Sequence, residues 1–256
     1  YDYILKGVRV VYLTGHTTSY LSDYEVFDNN EIPASTDPQP WPLHKKYNTI
    51  KSSKLLDEYN LKTNTVAYLI IKNDSLFYEK YYDDFSPSSK SNSFSMAKSF
   101  VSALLEKAIM EGYIESLNQP VYEFLTKLKG PYSKEVTFED LVTMSSGLDW
   151  TEEYYSPFSV TASAYFIDNL SSLILNQDIN EKPGEIYKYS SGATQLLGMA
   201  IVKATGKSLS DYLYESFWNP MGMEKNALWQ VDRPKNGIEK AFCCIASNAR
   251  DFAKFG

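Results

Sequence analysis

The tetrapeptide Ser95-Met96-Ala97-Lys98 pairs a hydroxyl nucleophile with an amine, and it is the only Ser-x-x-Lys in the chain. Residues three apart share a helix face, so the Lys98 amine can reach the Ser95 hydroxyl. Desolvation disfavours a buried ammonium, and a neutral amine can accept the hydroxyl proton. The positive end of the helix dipole would stabilise an oxyanion at this turn. The alternative interpretation is structural, with Ser95 as an N-cap and Lys98 as a solvated residue of the first turn.

A second candidate is the tripeptide Tyr189-Ser190-Ser191. A phenol beside an amine can exchange protons with a leaving group, and Ser191 could hydrogen-bond Lys98 or a substrate. The same Tyr-x-Ser pattern occurs at 154–156 and 214–216, and most tyrosines in a protein simply pack. The pattern alone does not choose among the three.

These residues need a helix and a sheet to position them. The helix that begins at Ser95 is apolar on most of its surface, which predicts a buried central helix, and Gly112 supplies its C-cap. Residues 65–71 and 76–82 are rich in β-formers on either side of the turn sequence 72–75, which predicts a hairpin. Two strands are marginal alone, so the hairpin requires a larger sheet or a helix layer.

Further helices are predicted around this hairpin. The pair Thr137 and Asp140 forms a capping box for a helix that runs to Met144. One hairpin followed mostly by helices predicts an α+β protein. Residues 1–48, rich in Tyr, Asp, Asn and Pro, are expected to form an extended arm over a domain at 49–256. The other predicted helices cover 48–59, 162–176, 194–205 and 209–217.

Composition excludes several classes of protein. Lys and Arg number 25 against 32 Asp and Glu, and this net charge of -7 disfavours a nucleic acid partner. The longest apolar stretch, 66–71, is far shorter than the ~20 residues that span a bilayer. Zinc, Walker and dinucleotide motifs are absent from the sequence, so we expect neither a metal nor a cofactor.

The histidines and cysteines narrow the chemistry further. Both His16 and His44 precede Ser95 and Gly-x-Ser-x-Gly does not occur, which excludes an α/β-hydrolase triad. Cys243 and Cys244 are adjacent and cannot close a long loop. They are either small packed residues or a pair with a special vicinal role.

Five stretches then form an ordered set that resembles the serine β-lactamase and penicillin-recognising superfamily. Within it the chain looks most like the class C-type esterases and the 6-aminohexanoate-dimer hydrolases. The stretches are FSMAKSFVSAL (94–104), LVTMSSGLDW (141–150), PGE to YSSGATQLLG (183–198), ATGKSL with PMGM (204–209 and 220–223), and ARDFAKFG (249–256).

The resemblance implies a β-lactamase-like α+β fold, an antiparallel sheet flanked by helices plus a mainly helical region. It implies that Ser95 is the acylated nucleophile, that Lys98 is its base partner and that Tyr189 protonates the leaving group and later helps to activate water. Ser191 stands where relatives carry Asn or Ser and is expected to bind substrate. The Ser95 N–H would give one oxyanion donor, and the substrate would be a small amide or ester.

Two features depart from the family pattern. Relatives carry a third motif, Lys-Thr-Gly or His-x-Gly, on a strand that supplies the second oxyanion N–H. The chain ends before such a motif, so we expect that motif and the strands beside the hairpin to be missing from it. The first residues show neither an initiator Met nor a signal peptide. We therefore expect a bacterial protein, periplasmic or otherwise extracytoplasmic after signal removal.

Two alternatives to a turnover enzyme remain at this stage. A penicillin-recognising binding or sensor protein would acylate without fast turnover, and a catalytically silent member of the fold would not acylate.

Overall fold

A computed structural model of the protein describes residues 2–256, so Tyr1 of the expected arm lies outside the described residues. Its helices and antiparallel strands have an α+β arrangement, with α3 to α8 following one another between β4 and β5. The α-helices are α1 (Asp2–Val10), α2 (Lys54–Lys62), α3 (Ala97–Met110), α4 (Phe138–Val142), α5 (Val160–Phe166), α6 (Leu170–Leu175), α7 (Ser191–Thr205), α8 (Leu209–Leu213) and α9 (Ala249–Phe255). The strands are β1 (Asn29–Ile32), β2 (Ala67–Lys72), β3 (Ser75–Tyr81), β4 (Ser91–Asn92), β5 (Ala227–Gln230) and β6 (Ile245–Ser247).

The strands form two antiparallel sheets. The predicted hairpin is confirmed as the pair β2–β3, and its turn residues Asn73 and Asp74 both have positive φ, near 50°, as tight hairpin turns require. The second sheet has four strands in the order β1-β5-β6-β4. Since β4 ends at Asn92 and pairs with β6, this sheet fixes the chain immediately before Ser95.

Helices α3 and α7 pack against each other in the core. The predicted buried helix is confirmed, because Phe100, Val101, Leu104 and Leu105 of α3 are all buried. Gly112, predicted for its C-terminal end, follows the C-cap Glu111 with φ +77°. The described helices include none that is long and apolar enough to cross a bilayer.

The beginnings of several helices depend on caps. The box predicted at Thr137 and Asp140 is confirmed, with each side chain bonded to the other residue's backbone N–H. The helix expected at 48–59 begins later because the Ser53 hydroxyl accepts from Leu56 N–H and caps α2.

Two predicted helices differ in extent from the observed ones. The single helix expected at 162–176 is two helices, because Ile167 is extended and the Asn169 side chain caps α6 as a new start. The helix expected at 209–217 is confirmed as far as Leu213, and Tyr214–Trp218 continue it as a π-helix.

The expected extended arm is wrong for its first residues, which form α1. The prolines that predicted extension all lie at 33 or beyond, so they leave this segment free to be helical. Val10 and Val11 form a small cluster with Phe27, and this packing stabilises the helix. Strand β1 of the same region joins the four-stranded sheet beside β5. A domain division near residue 48 stays a prediction.

Candidate active site

The turn before α3 presents Ser95 on the surface. Two hydrogen bonds to β6 hold this turn in place. Ser93 N–H donates to the Ile245 carbonyl at 2.7 Å, and Ile245 N–H donates to Ser93 Oγ at 3.1 Å. Asn92 Oδ1 accepts from Phe94 N–H at 2.9 Å. Phe94 has φ +44°, a left-handed backbone that disfavours a bulky side chain and is held there by these bonds. The turn therefore orients Ser95 rigidly.

Lys98 is buried beneath this serine, with only 8% of its surface exposed. Its Nζ lies 3.2 Å from Ser95 Oγ and donates to the Phe242 carbonyl at 2.8 Å. The capping interpretation is wrong, because α3 begins after a 3₁₀ turn (Phe94–Met96), its N-cap is Met96 and no side chain caps it. The sequence interpretation that pairs Ser95 with Lys98 matches this geometry.

Tyr189 reaches the same place from the loop just before α7. Its ring centroid lies 5.1 Å from Lys98 Nζ, and its side chain is partly exposed. The Ser190 hydroxyl accepts from Ala193 N–H and caps α7, which is why this helix begins three residues earlier than predicted. Of the other Tyr-x-Ser segments, 214–216 lies in the π-helix away from Ser95, and 154–156 borders the same cleft.

Ser191 is the first residue of α7 and is buried. Its N–H donates to Glu152 Oε1, which also accepts from Trp150 Nε1 at 3.0 Å. The other carboxylate oxygen accepts from the Tyr154 hydroxyl at 2.7 Å. Burial, and next Glu152, raise the pKa of the Tyr154 phenol, so it stays a donor at neutral pH. Ser191 thus borders the cleft, and Lys98 bonds Ser95 and Phe242 rather than Ser191.

Glu152 was not singled out from the sequence. Its carboxylate connects three parts of the site. They are the aromatic loop (150–155) that contains Glu152, the Tyr154 phenol of that loop, and the start of α7. A carboxylate flanked by Trp150 and Tyr154 is the signal that could have found it, because a half-buried acid needs hydrogen-bond donors.

The cysteines form a disulfide with each other, so the interpretation as two separate packed thiols is wrong. Both are buried, and Cys244 has φ +78°. Trp229 Nε1 donates to the Cys243 carbonyl at 3.1 Å. Because Cys243 directly follows Phe242, this anchored segment holds the carbonyl that binds Lys98.

A cavity of about 340 Å³ opens beside Ser95. Ser191, Phe242 and Cys243 contribute to its wall, so the nucleophile, the start of α7 and the disulfide segment meet at one cleft. The volume falls within the range of about 300–1,000 Å³ typical of small-molecule sites.

Comparison with known proteins agrees with this architecture. Residues 53–256 match the Beta-lactamase family. Protein flp of Staphylococcus aureus (strain NCTC 8325 / PS 47) is 27% identical over 177 residues, 65% of this chain and 35% of that protein. The 6-aminohexanoate-dimer hydrolase of Paenarthrobacter ureafaciens is 23% identical over 210 residues, 76% of this chain and 52% of the hydrolase.

A solved Bacillus anthracis structure, provisionally named a 6-aminohexanoate-dimer hydrolase, superposes with a TM-score of 0.81 at 24% identity. It aligns with 93% of this chain, which covers 66% of that structure. The chain thus spans between about a third and two thirds of the length of these relatives. The predicted β-lactamase-like fold is confirmed, and the chain belongs to the Beta-lactamase family.

Proposed function

We propose that the protein is a serine hydrolase that cleaves a small amide or ester through an acyl-enzyme on Ser95. The observation that carries the proposal is the buried Lys98, whose Nζ lies 3.2 Å from Ser95 Oγ. A lysine withdrawn from water and aimed at an exposed serine hydroxyl is the arrangement that nucleophilic catalysis requires.

The proposed reaction has two halves. In acylation, Lys98 accepts the Ser95 proton while Oγ attacks the substrate carbonyl, and the Ser95 N–H donates to the oxyanion. Tyr189 delivers a proton to the departing amine or alcohol as its bond to the carbonyl carbon breaks. In deacylation, Tyr189 takes a proton from the water that attacks the ester carbonyl, Lys98 returns its proton to Ser95 Oγ as the ester bond breaks, and the acid is released.

The relatives support the reaction class. One is named a 6-aminohexanoate-dimer hydrolase, which indicates amide cleavage in that protein. Solved structures that share the fold are described as a D-stereospecific amidohydrolase and a class C β-lactamase. We carry over to this chain only hydrolysis of an acyl bond. An extracytoplasmic location of the protein stays a prediction.

The test compares Ser95→Ala with Ser99→Ala, an exposed serine on the same helix. Hydrolysis of p-nitrophenyl esters is measured in the full-length protein by release of p-nitrophenol. We expect Ser95→Ala to abolish turnover and Ser99→Ala to retain it. Ester turnover by Ser95→Ala at the parent rate would contradict the proposal.

Labelling experiments on the same protein distinguish the two alternatives to a turnover enzyme. A stable mass increase with a β-lactam, without turnover, would indicate a penicillin-recognising sensor. Failure of a fluorophosphonate to label the parent would indicate a catalytically silent protein.

A further inference from the structure

The cavity beside Ser95 is built from uncharged side chains. Among the described residues that line it, none is Asp, Glu, Lys, Arg or His. The lining residues are aliphatic, aromatic or small and hydroxylated. They include Ile4, Val8 and Val11 from the N-terminal segment, Tyr154 and Tyr155 from the loop before α5, and Phe166 from α5.

Helix α1 forms the outer wall because it packs tightly on α5. A Cβ added to Gly7 would lie 3.3 Å from the Phe166 ring, so a larger residue there would push the two helices apart. Val11 is buried in a cluster with Phe27, against which Phe166 and Tyr165 pack. The N-terminal helix is therefore part of the substrate cleft.

Asp23 and Lys240 are buried ionisable residues that each bond Tyr165 of the cavity lining. The Asp23 carboxylate accepts from the Tyr165 hydroxyl at 2.6 Å. Lys240 is fully buried behind the Phe27 and Tyr165 rings and donates to the Tyr165 carbonyl. Burial lowers the pKa of Lys240 well below its usual value, which favours the neutral amine.

Lys98 and Glu152, at the edge of the candidate site, also have hydrogen-bond partners. Lys98 bonds Ser95 Oγ and the Phe242 carbonyl, and Glu152 accepts from three donors. A charged substrate group that entered this cavity would therefore lose water without gaining an ionic partner, which is unfavourable.

The position of the cavity relative to Tyr189 indicates which part of the substrate it holds. Ser95 and Ser191 line it, whereas Tyr189, the proposed donor to the leaving group, is outside its lining among the described residues. The leaving group then departs on the Tyr189 side, and the group that stays attached to Ser95 extends into the cavity.

We propose that this cavity is the acyl-binding subsite, that it selects a neutral and mainly apolar acyl group, and that Val8 and Tyr155 determine this preference. The inference rests on the proposed function, because it takes Ser95 as the acylated residue. It excludes acyl groups that carry an ammonium or a carboxylate at the distal end.

The test uses three p-nitrophenyl esters of matched chain length: hexanoate, 6-aminohexanoate and the adipate monoester. We expect kcat/KM for hexanoate to exceed that for either charged ester by at least about tenfold, since neither charge finds a partner. Equal kcat/KM values, or a preference for a charged ester, would overturn the inference.

A second experiment introduces a negative charge into the cavity lining. Val8 is 41% exposed, so Val8→Asp can be accommodated, and Leu5→Asp adds the same charge to α1 at a position 71% exposed and outside the cavity lining. We expect Val8→Asp to raise the ratio of kcat/KM for the 6-amino ester over hexanoate by about tenfold, and Leu5→Asp to leave it unchanged. Equal ratios in both variants would overturn the inference.

A backup variant and a labelling control distinguish a variant that fails to fold from a failure of the proposal. If Val8→Asp fails to fold, Tyr155→Asp places the same charge at another lining position, on the loop before α5 and 97% exposed, and the same shift is expected. Labelling of Ser95 by a fluorophosphonate reports an assembled site in every variant. A parent that neither hydrolyses an ester nor labels refutes the proposed function. A parent that labels and hydrolyses without charge selection refutes only the subsite.

Discussion

Gly192 permits the aromatic loop to lie against the start of α7, and Gly192→Ala tests whether that contact sets the active-site geometry. An added Cβ would lie 2.6 Å from Trp150 Cε3 and 2.8 Å from Leu148 Cδ2. Both neighbours are buried, so neither can swing away freely. Trp150 must shift, and it carries with it the Glu152 carboxylate that holds Ser191 N–H.

The expected magnitude follows from two opposing terms. Overpacking a buried contact destabilises by about 1–3 kcal/mol. Ala is favoured over Gly in a helix by up to about 1 kcal/mol, which offsets part of this. We expect a net loss of about 1–2 kcal/mol, and for a chain of this size each kcal/mol lowers Tm by about 2–4 °C. Because Tyr189 and Ser191 move with the loop, kcat/KM should fall as well.

The assay pairs thermal unfolding with ester hydrolysis at a temperature where every variant is folded. Gly112→Ala is the matched control, because Gly112 has φ +77° with nothing within 4 Å of an added Cβ. Its backbone strain lowers stability by about 1–2 kcal/mol without touching the site. We expect equal losses of stability but a loss of kcat/KM only in Gly192→Ala. Equal kcat/KM in the two variants would refute the reasoning.

Two further predictions concern charged residues. Lys98→Met should lower the rate of Ser95 acylation by about 10²–10⁴-fold, the usual contribution of a positioned base. Lys107→Met on the same helix should leave that rate unchanged. Stopped-flow kinetics measures the acylation rate, and equal rates in the two variants would contradict the role of Lys98 as the base. Burial alone would raise the pKa of Glu79, but hydrogen bonds from Arg250, Tyr47 and Tyr81 outweigh it and lower the pKa below the usual 4.5. Its stabilising contribution is thus present at pH 7 and is lost as pH falls below that value. Urea unfolding should show a smaller loss of stability between pH 7 and pH 3 in Glu79→Gln than in the parent, and an unchanged difference would contradict this.

Local signals in the sequence predicted the parts of the fold that depend on neighbouring residues. The capping box at Thr137, the tight turn at Asn73 and the buried stripe of α3 are all encoded within a few positions. Helix α1 was missed because it is stabilised by distant contacts with Phe27. The prolines that suggested an extended arm act only on their own segment.

The candidate site likewise contains residues that local spacing predicts and residues that only tertiary packing brings together. Ser95 and Lys98 share one helical turn, so their pairing follows from spacing alone. Tyr189 could be chosen among three similar tripeptides only through the family resemblance, because its approach to Lys98 depends on how α7 packs against α3. Glu152 and the Phe242 carbonyl reach the site through tertiary contacts that no local pattern encodes.

Ser95 is the proposed nucleophile, and mass spectrometry after treatment with a fluorophosphonate identifies the residue that is labelled. We expect one covalent adduct per chain, located by proteolysis on the peptide that contains Ser95, and no adduct in Ser95→Ala. An adduct on another residue, or one that persists in Ser95→Ala, would contradict it.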